Sequence, residues 1–574
     1  MNGAAQIIQV LKQQRIDALF TLCGGHISPI LVEAKKAGIR VIDVRHEANA
    51  AFAADAYSRL TGKVGVVAVT AGPGVSNTIT AVKNAQLAQS PLLLLGGATA
   101  TLLRGRGSLQ DIDQISLIEA HVKWAGRPNA VSEIFPAIHQ ALQVAQSGVP
   151  GPVFVEVAVD LLYEESVVRE WYVAKTDRPN PTLPEKLMAW YIKGHLAKVF
   201  AGRLPDFTKN ISARIPSFRK GDVQRAAKWL QNSEKPVLII GSQAMLNPVL
   251  SGELVNAIES LKIPTFCSGM ARGLLGKNHP LQLRHKRTQA LKEADVVILC
   301  GVPCDFRLDY GSPLRRAKVI SINRSSDDLF QNRRPDLAIL ADPHQTLCAI
   351  AAQKPEITYG DWLEKLQERN QKRDAEILEM SKEEVQGGVN PLQFFIEMEK
   401  VLDGNSILVG DGGDFVASAS YIVQPPKPYS WLDPGVFGTL GVGAGFAMAA
   451  SLVHPDNQVW LIYGDGASGF SLMELDTCVR HQIPIIAVIG NDGGWTQIAR
   501  DQVVILEDDV GTVLTQMDYH IVAQGCGAHG ILVKDMDEVP KSLQEAIEVS
   551  KTGKPVVINL LIGTTDFRKG SISM

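Results

Sequence analysis

The sequence predicts an α/β protein built from three doubly wound parallel-sheet domains. Its 574 residues are too many for one hydrophobic core and suit three domains of ordinary size. Short apolar runs such as Val459–Tyr463, Pro236–Ile240 and Val296–Leu299 are typical of strands that are buried on both faces. Helical stretches separate such runs, and glycine turns follow several of them, which is the alternation that parallel sheets require.

The predicted organisation has three domains and two linkers. We expect an N-terminal domain over residues 1–165, a central domain over 222–350 and a C-terminal domain over 387–574. Residues 166–221 form the first linker, and a charged helix is expected in the second linker, residues 351–386. The first and third domains are expected to share one doubly wound plan, although no short-period repeat is detectable.

The first linker contains an amphipathic segment, residues 183–202. Its apolar side chains near one face are Leu187, Tyr191, Leu196, Val199 and Phe200, with lysines interspersed. Such a helix can lie on a bilayer. It can also pack across a domain or subunit seam, which is the commoner fate of amphipathic helices and the interpretation we favour.

Composition and charge exclude several classes of partner. A net charge of −3 and a pI near 6.5 provide no basic field for nucleic acid. The seven cysteines contain no CxxC pair, so we expect reduced thiols and a cytoplasmic protein. No run of eighteen apolar residues occurs, and no signal peptide is recognisable, so we expect no membrane span.

The segment from Gly464 to Gln497 carries the strongest chemical signal. The turn GDG follows the apolar run 459–463, and the turn NDGG (491–494) follows the next one, 484–489. Consecutive parallel strands bring both turns to one sheet edge, where such sheets hold ligands. Mg²⁺ prefers oxygen ligands and often shares them with phosphate. The half-shell predicted here comprises Asp465, a side chain at Asn491 or Asp492, and the carbonyl of Gly494, although two ordinary turns would give the same pattern.

This spacing resembles the signature of thiamine-diphosphate enzymes, and two further segments support the resemblance. Residues 45–77, RHEANAAFAADAYSRLTGKVGVVAVTAGPGVSN, resemble the pyrimidine-binding half. The resemblance implies that Glu47 relays a proton at the cofactor's aminopyrimidine ring. Residues 435–446, GVFGTLGVGAGF, match the glycine carbonyl (Gly438) and the large apolar side chain (Leu440) that bend the cofactor.

The resemblance implies thiamine diphosphate and Mg²⁺ as cofactors and a defined set of contacts. The pyrimidine-binding residues are Glu47, Pro73 and Asn77, and those of the glycine loops are Asp411, Gly412, Gly413, Gly438, Thr439 and Leu440. The residues expected around the diphosphate are Gly464, Asp465, Gly466, Ala467, Ser468, Asn491, Gly494 and Trp495. By the register of related enzymes Asp492 is the second metal ligand, but the shorter spacing gives Asn491, so both remain candidates.

Longer segments narrow the resemblance to one family. Examples are TLCGGHISPIL, NAQLAQSPLLLLGGA, GMARGLLGKNHPL, CDFRLDYG, GNDGGWTQI and TDFRKGSI. They are similar to the acetolactate-synthase-like proteins, also called 2-hydroxyacyl-CoA lyases type 2, over nearly the whole chain. This implies reversible cleavage of a 2-hydroxyacyl-CoA to an aldehyde and formyl-CoA. An acetolactate synthase acting on pyruvate and a catalytically silent regulatory subunit are the alternatives.

The resemblance also assigns roles outside the cofactor. It suggests Gln110, in GSLQDIDQ, for orienting substrate or cofactor, and His26, in GGHISP, as a donor to the departing oxygen, although a histidine in a glycine turn is as often a capping group. Residues 563–574 either close over the CoA phosphates or form a frayed end.

The resemblance further bears on the central domain and on assembly. The central domain looks closer to that of the CoA-acting relatives, so ADP is an open possibility and FAD is not expected. Enzymes of this group build each site from two chains, so we expect a homodimer or homotetramer. Relatives of this family can carry an amino-terminal membrane anchor, and we expect this chain to depart from them in having none.

Overall fold

The computed structural model describes residues 2–173, 182–202 and 211–569. Within these ranges the chain forms three parallel sheets of six strands each, with helices flanking the strands. The predicted α/β fold class is therefore confirmed. The sheets lie within residues 18–158, 236–340 and 407–561, while the exact domain boundaries stay predictions. The chain divides into two compact units, one of residues 1–58 and 63–214 and the other of residues 59–62 and 215–574.

The first unit contains one sheet, with strand order β2-β1-β3-β4-β6-β5. Its strands are β1 (Ala18–Thr21), β2 (Arg40–Asp43), β3 (Gly65–Val69), β4 (Leu92–Ala98), β5 (Ala125–Gly126) and β6 (Pro152–Ala158). Its helices are α1 (Gly3–Gln13), α2 (Ser28–Lys36), α3 (Glu47–Thr61), α4 (Pro73–Ser76), α5 (Ile79–Leu87), α6 (Gln114–Ile118), α7 (Val131–Gln146), α8 (Val159–Leu162), α9 (Glu165–Val173) and α10 (Leu183–Val199). The middle strands β3, β4 and β6 are buried along their whole length, because helices cover both faces of a doubly wound sheet.

The second unit contains two sheets, and the first of them has the order β9-β8-β7-β10-β11-β12. Its strands are β7 (Pro236–Ile240), β8 (Thr265–Cys267), β9 (Gln282–Leu283), β10 (Val296–Cys300), β11 (Lys318–Asn323) and β12 (Leu337–Leu340). The accompanying helices are α11 (Lys220–Gln231), α12 (Ser251–Leu261), α13 (Arg287–Glu293), α14 (Ser326–Phe330), α15 (Pro343–Ala351) and α16 (Trp362–Met380). This strand order is that of dinucleotide-binding domains.

The last sheet has the order β14-β13-β15-β16-β18-β17. Its strands are β13 (Ile407–Gly410), β14 (Trp431–Leu432), β15 (Val459–Gly464), β16 (Ile486–Asn491), β17 (His529–Val533) and β18 (Val556–Leu561). Its helices are α17 (Pro391–Val401), α18 (Asp414–Ile422), α19 (Gly443–Val453), α20 (Asp465–Ser468), α21 (Glu474–His481), α22 (Thr496–Leu506), α23 (Tyr519–Gly525) and α24 (Val539–Ser550). The order repeats that of the first sheet strand for strand, as one common plan predicts.

The amphipathic linker segment forms helix α10, but its faces differ from the sequence prediction. Leu196 and Val199 are buried together with Ile192. Leu187 and Tyr191 were expected on that face, yet they are 60% and 50% exposed. The cause is helical geometry, because these two side chains lie nearly opposite the buried ones around the helix. The bilayer and seam interpretations both stay predictions. Within the described residues no helix is long and apolar enough to cross a membrane.

Candidate active site

In the first unit the strand order reverses between β1 and β3, and the residues that follow these strands meet there. Open α/β sheets bind ligands at such a reversal, outside the carboxyl ends of the strands. His26, after β1, has its Nδ1 3.1 Å from Oγ1 of Thr70, which follows β3. Partial burial lowers the pKa of His26, so its imidazole is neutral at pH 7. A neutral ring that is bonded through one nitrogen can offer its other nitrogen to a ligand.

Glu47 lies at the same edge of the sheet. It begins α3, shortly after β2 ends, and only 6% of the residue is exposed. The side-chain amide of Asn77 donates to Oε2 of Glu47 at 3.0 Å. Asn77 follows α4, which begins at Pro73 behind a glycine of positive φ. The structure thus brings together all three residues predicted to contact the pyrimidine.

Gln110 packs against the turn that precedes α4. Its φ of +64° is uncommon for a residue with a side chain. A Cβ added to Gly72 would come within 2.9 Å of the Gln110 carbonyl oxygen, so only glycine fits there. Gln110 is therefore held close to Pro73 and, through that turn, to the Glu47–Asn77 pair.

Sequence reasoning missed Gln114, which ties this region together. It is 2% exposed and accepts a hydrogen bond from the backbone N–H of Gly72 at 2.8 Å. Its amide donates to the Gly97 carbonyl at 3.1 Å and to Glu156 at 3.1 Å. The acid at 156 inside the apolar run GPVFVEVAVD was the available signal, because a buried carboxylate needs partners.

The third sheet repeats this arrangement between β13 and β15. The Gly464 N–H donates to the Gly412 carbonyl at 3.2 Å. A Cβ added to Gly412 would lie 2.2 Å from Cδ2 of Leu440. Leu440, predicted to bend the cofactor, therefore lies against the turn predicted to meet the diphosphate. Exposed glycine backbone beside a large apolar side chain is an arrangement that fits a bent heterocyclic cofactor with a diphosphate group.

Asp411 was predicted to contact the cofactor, but its side chain is directed at the backbone of the loop before α19. It is 3% exposed, and its carboxylate accepts from the N–H groups of Gly441 at 2.9 Å and Gly443 at 2.7 Å. Burial raises the pKa of Asp411 to about 7. The side chain therefore holds the loop that carries Gly438, Thr439 and Leu440. Gly413, with a φ of +107°, precedes α18.

Asp465 connects the two turns of the predicted metal site. One carboxylate oxygen accepts from the Gly466 N–H at 2.8 Å, and the other accepts from Gly493 at 2.9 Å and Gly494 at 3.1 Å. Burial, and next the neighbouring Asp492, raise the pKa of Asp465 to about 6. Asp465 is thus a buried carboxylate whose proton affinity is raised further by a second carboxylate, and a divalent cation bound there would relieve that repulsion.

The two candidates for the second metal ligand differ in their surroundings. Asn491 is fully buried, and its amide donates to the Met517 carbonyl and to Oδ1 of Asn559, both at 3.0 Å. Its Oδ1 is buried and has no hydrogen-bond partner. Asp492 accepts from the Thr496 hydroxyl at 2.5 Å, and burial raises its pKa. Both side chains therefore offer oxygen, the donor that Mg²⁺ requires.

The remaining predicted residues surround Asp465. The ring of Trp495 packs on Gly466, where an added Cβ would lie 2.7 Å from it. Ser468 is buried and its hydroxyl donates to the Asp465 carbonyl at 2.7 Å, so its proton is already engaged within the turn. Ala467 is buried too and offers only its backbone. Tyr519 could not be predicted as part of this region, because the hydrogen bond from its hydroxyl to the Asp465 carbonyl, 3.3 Å long, joins segments that are distant in the chain.

Two of the cavities in the described part of the second unit bear on its function. One, of about 740 Å³, has Asp492 and Thr496 in its wall together with Phe415, Val504 and Ile562. The other, of about 670 Å³, lies beside the end of β8. Its basic lining residues are Arg272, Arg284, Lys286, Arg287 and Lys292.

Comparison with known families now identifies the class of protein. Residues 1–117 match the N-terminal TPP binding domain of thiamine pyrophosphate enzymes, residues 223–350 the central domain, and residues 411–560 the C-terminal TPP binding domain. The chain belongs to the thiamine pyrophosphate enzyme family, as the sequence predicted. It is a thiamine-diphosphate-binding protein.

Similarity to individual proteins is high over the full length. The chain is 48% identical to 2-hydroxyacyl-CoA lyase 2 of Bos taurus and 47% identical to that of Homo sapiens, covering 100% of this chain and 92% of each relative. It is 34% identical to the acetolactate synthase large subunit IlvG of Mycobacterium tuberculosis, covering 98% of this chain and 96% of the relative. Within its family the chain therefore groups with the 2-hydroxyacyl-CoA lyase 2 proteins.

Proposed function

We propose that this chain is a lyase, dependent on thiamine diphosphate and Mg²⁺, that cleaves 2-hydroxyacyl-CoA to an aldehyde and formyl-CoA. The reverse reaction is an acyloin condensation. The observation that carries the proposal is the 48% identity to a 2-hydroxyacyl-CoA lyase 2 over the whole chain. The retained Glu47 and Asp465 argue against a silent regulatory subunit, because both halves of the cofactor site keep their acids.

Bound thiamine diphosphate would supply the carbanion chemistry, while the protein supplies binding, orientation and proton handling. Glu47, buried and bonded to Asn77, would hold a proton at the pyrimidine ring. Leu440 would bend the cofactor against the turn at Gly412. His26, neutral at pH 7, would donate a hydrogen bond to the oxygen of the departing aldehyde. Gln110 would orient the substrate.

The proposed Mg²⁺ ligands are Asp465, Asp492 and the carbonyl of Gly494. Asp492 is favoured because a second carboxylate offsets more of the cation's charge. Asn491 remains the alternative, supported by its buried and unpartnered oxygen.

The two cavities support a CoA thioester as substrate. Arg272 and Arg287 line the basic cavity, and each guanidinium donates to a backbone carbonyl, Arg272 to that of Ser420 at 2.9 Å and Arg287 to that of Arg307 at 2.6 Å, which leaves their positive charges without a bonded carboxylate among the described residues. Burial lowers the pKa of both. Such groups favour a phosphate-bearing ligand, which is the CoA nucleotide or a separate ADP. FAD is not expected. The cavity beside Asp492, with Phe415, Val504 and Ile562, would accept an acyl chain.

Assembly and location are part of the proposal. A homodimer or homotetramer is proposed, with small-molecule acyl-CoA and aldehyde substrates. A cytoplasmic location rests on the reduced cysteines alone and stays a prediction. The tail prediction stays untested, because residues 570–574 lie outside those that the structure describes.

The deciding experiment is incubation of the purified enzyme with 2-hydroxyacyl-CoA, thiamine diphosphate and Mg²⁺. We expect formyl-CoA and the matching aldehyde by mass spectrometry, and a colourless preparation. Pyruvate in a parallel reaction tests the acetolactate synthase alternative, which the 34% identity to IlvG keeps in view. Acetolactate in place of formyl-CoA would overturn the proposal.

A further inference from the structure

Helices α12 and α15 of the central domain bring together three side chains that the cofactor site does not use. Glu253 lies in the first turn of α12, and His344 and Cys348 lie in α15. His344 and Cys348 are four residues apart, so they share one face of the helix. One ligand atom from each residue lies within 4.8 Å of the other two.

His344 has no hydrogen-bond partner in this position. The residue is only 6% exposed, and both ring nitrogens are buried without a partner. Nε2 faces the cluster, 3.6 Å from Oε2 of Glu253. A buried polar group without a hydrogen-bond partner destabilises the folded state, so a ligand that bonds this ring would stabilise it.

We propose that Glu253, His344 and Cys348 bind a divalent transition-metal ion of the zinc type. Thiolate, imidazole and carboxylate are the three ligand types that Zn²⁺ takes in proteins. Bond lengths of about 2.0–2.3 Å place neighbouring tetrahedral ligands about 3.3–3.8 Å apart. The separation of 3.6 Å between His344 and Glu253 agrees with that spacing.

The surroundings suit such an ion. Cys348 Sγ lies 3.7 Å from the Glu253 carbonyl oxygen, so the thiol is already beside the first turn of α12. The Glu253 side chain is 63% exposed, which leaves an entry path and room for a water as fourth ligand. The ion would fasten α12 to α15 and would take no part in carbon–carbon chemistry.

Cobalt titration of the metal-stripped protein, with thiamine diphosphate and Mg²⁺ present, tests this proposal. We expect one Co²⁺ per chain and a near-ultraviolet thiolate-to-cobalt charge-transfer band. Cys348→Ser should abolish the band, and His344→Gln and Glu253→Gln should weaken binding by about tenfold or more. Cys526→Ser is the matched control, since that cysteine is also half-buried and should leave the titration unchanged.

The outcomes separate the proposal from its rivals. The proposal would be overturned if the Cys348→Ser protein still gave the charge-transfer band. It would also be overturned if the wild-type protein were saturated with Co²⁺ and showed no such band. Glu253 lies on the surface, so its variant guards against misfolding of the buried ones. Turnover of 2-hydroxyacyl-CoA should be the same in all variants, so the result is independent of the proposed function.

Discussion

At the scale of single residues, each of the two predicted cofactor-binding regions contains a buried acid, Glu47 in one and Asp465 in the other. Glu47 has one defined partner, Asn77, while Asp465 accepts three backbone hydrogen bonds. These surroundings agree with the proposed roles, proton transfer for Glu47 and metal binding for Asp465. Substitutions at the two positions should separate chemistry from cofactor affinity.

Replacement of Glu47 by glutamine should remove turnover and spare binding. The amide keeps the shape and the contact with Asn77 but cannot relay a proton. We expect kcat to fall by about 10²–10⁴-fold, the usual contribution of an acid–base group. Calorimetry should still detect thiamine diphosphate. Glu33→Gln, on the surface beside Lys36, is the control, and undiminished turnover in Glu47→Gln would contradict the assigned role.

The second metal ligand can be identified by comparing Asp492→Asn with Asn491→Ala. If Asp492 is the ligand, Asp492→Asn should raise the Mg²⁺ concentration for half-maximal activity by about tenfold or more, because charge is lost at the ion. Asn491→Ala should then act mainly on stability, since it loses bonds to Met517 and Asn559. The reverse pattern would select Asn491. Unchanged Mg²⁺ dependence in both would remove this turn from the site.

Asp411 predicts a pH dependence of stability. Its pKa of about 7 in the folded protein exceeds the ordinary 3.8. The folded state therefore binds more protons between these values, so stability falls as the pH rises through that range. In thermal unfolding of the cofactor-free protein, the midpoint of the wild type relative to Asp411→Asn should rise as the pH is lowered from about 8 to about 5. A constant difference would show that this carboxyl group does not titrate.

At the scale of elements, the turns that end β13 and β15 work as one unit with the loop before α19. The carbonyl of Gly412 accepts a hydrogen bond from the N–H of Gly464. The Leu440 side chain occupies the space where a Cβ of residue 412 would otherwise lie. Asp411 holds the same loop from the other side through Gly441 and Gly443. The position of Leu440 is therefore set by backbone contacts that a small change can disturb.

Gly412→Ala should weaken cofactor binding without unfolding the domain. The new methyl group would lie 2.2 Å from Leu440 Cδ2, so the leucine must move away from its present position. We expect the Kd for thiamine diphosphate, measured by calorimetry, to rise by about tenfold or more, since misplaced contacts cost 1.4 kcal/mol per factor of ten. Gly404→Ala, with no atom within 4 Å of its Cβ, is the control. Equal affinities would show that Leu440 does not act on the cofactor.

At the scale of the whole molecule, the strands and turns could be predicted from the sequence and the long-range contacts could not. The run 459–463 was predicted as a strand because buried parallel strands are continuous apolar segments, and β15 spans Val459–Gly464. By contrast, the hydrogen bonds between Gln114 and Gly72 and between Tyr519 and Asp465 could not be predicted, because the partners are far apart in the sequence and meet only in the folded chain. The prediction for α10 was wrong because Leu187 and Tyr191 were assigned to the face of Leu196 and Val199, whereas a rotation of about 100° per residue points them away from it.

The first and third sheets share one strand order. Glu47 lies in the domain of the first sheet and Asp465 in that of the third, and we propose that both contact the same cofactor. If each site takes Glu47 from one chain and Asp465 from another, as in a closed symmetric dimer, two inactive variants should complement each other. In a mixed dimer of Glu47→Gln and Asp465→Asn, one site receives both substitutions and the other receives neither.

Co-expression of Glu47→Gln with Asp465→Asn therefore tests the assembly. With random pairing of equal amounts, half of the dimers are mixed and half of their sites are intact, so about a quarter of wild-type turnover should return. Co-expression of either variant with itself should give none. If each site were built within one chain, no pairing would restore Glu47 and Asp465 to the same site, and the mixture would be as inactive as its components.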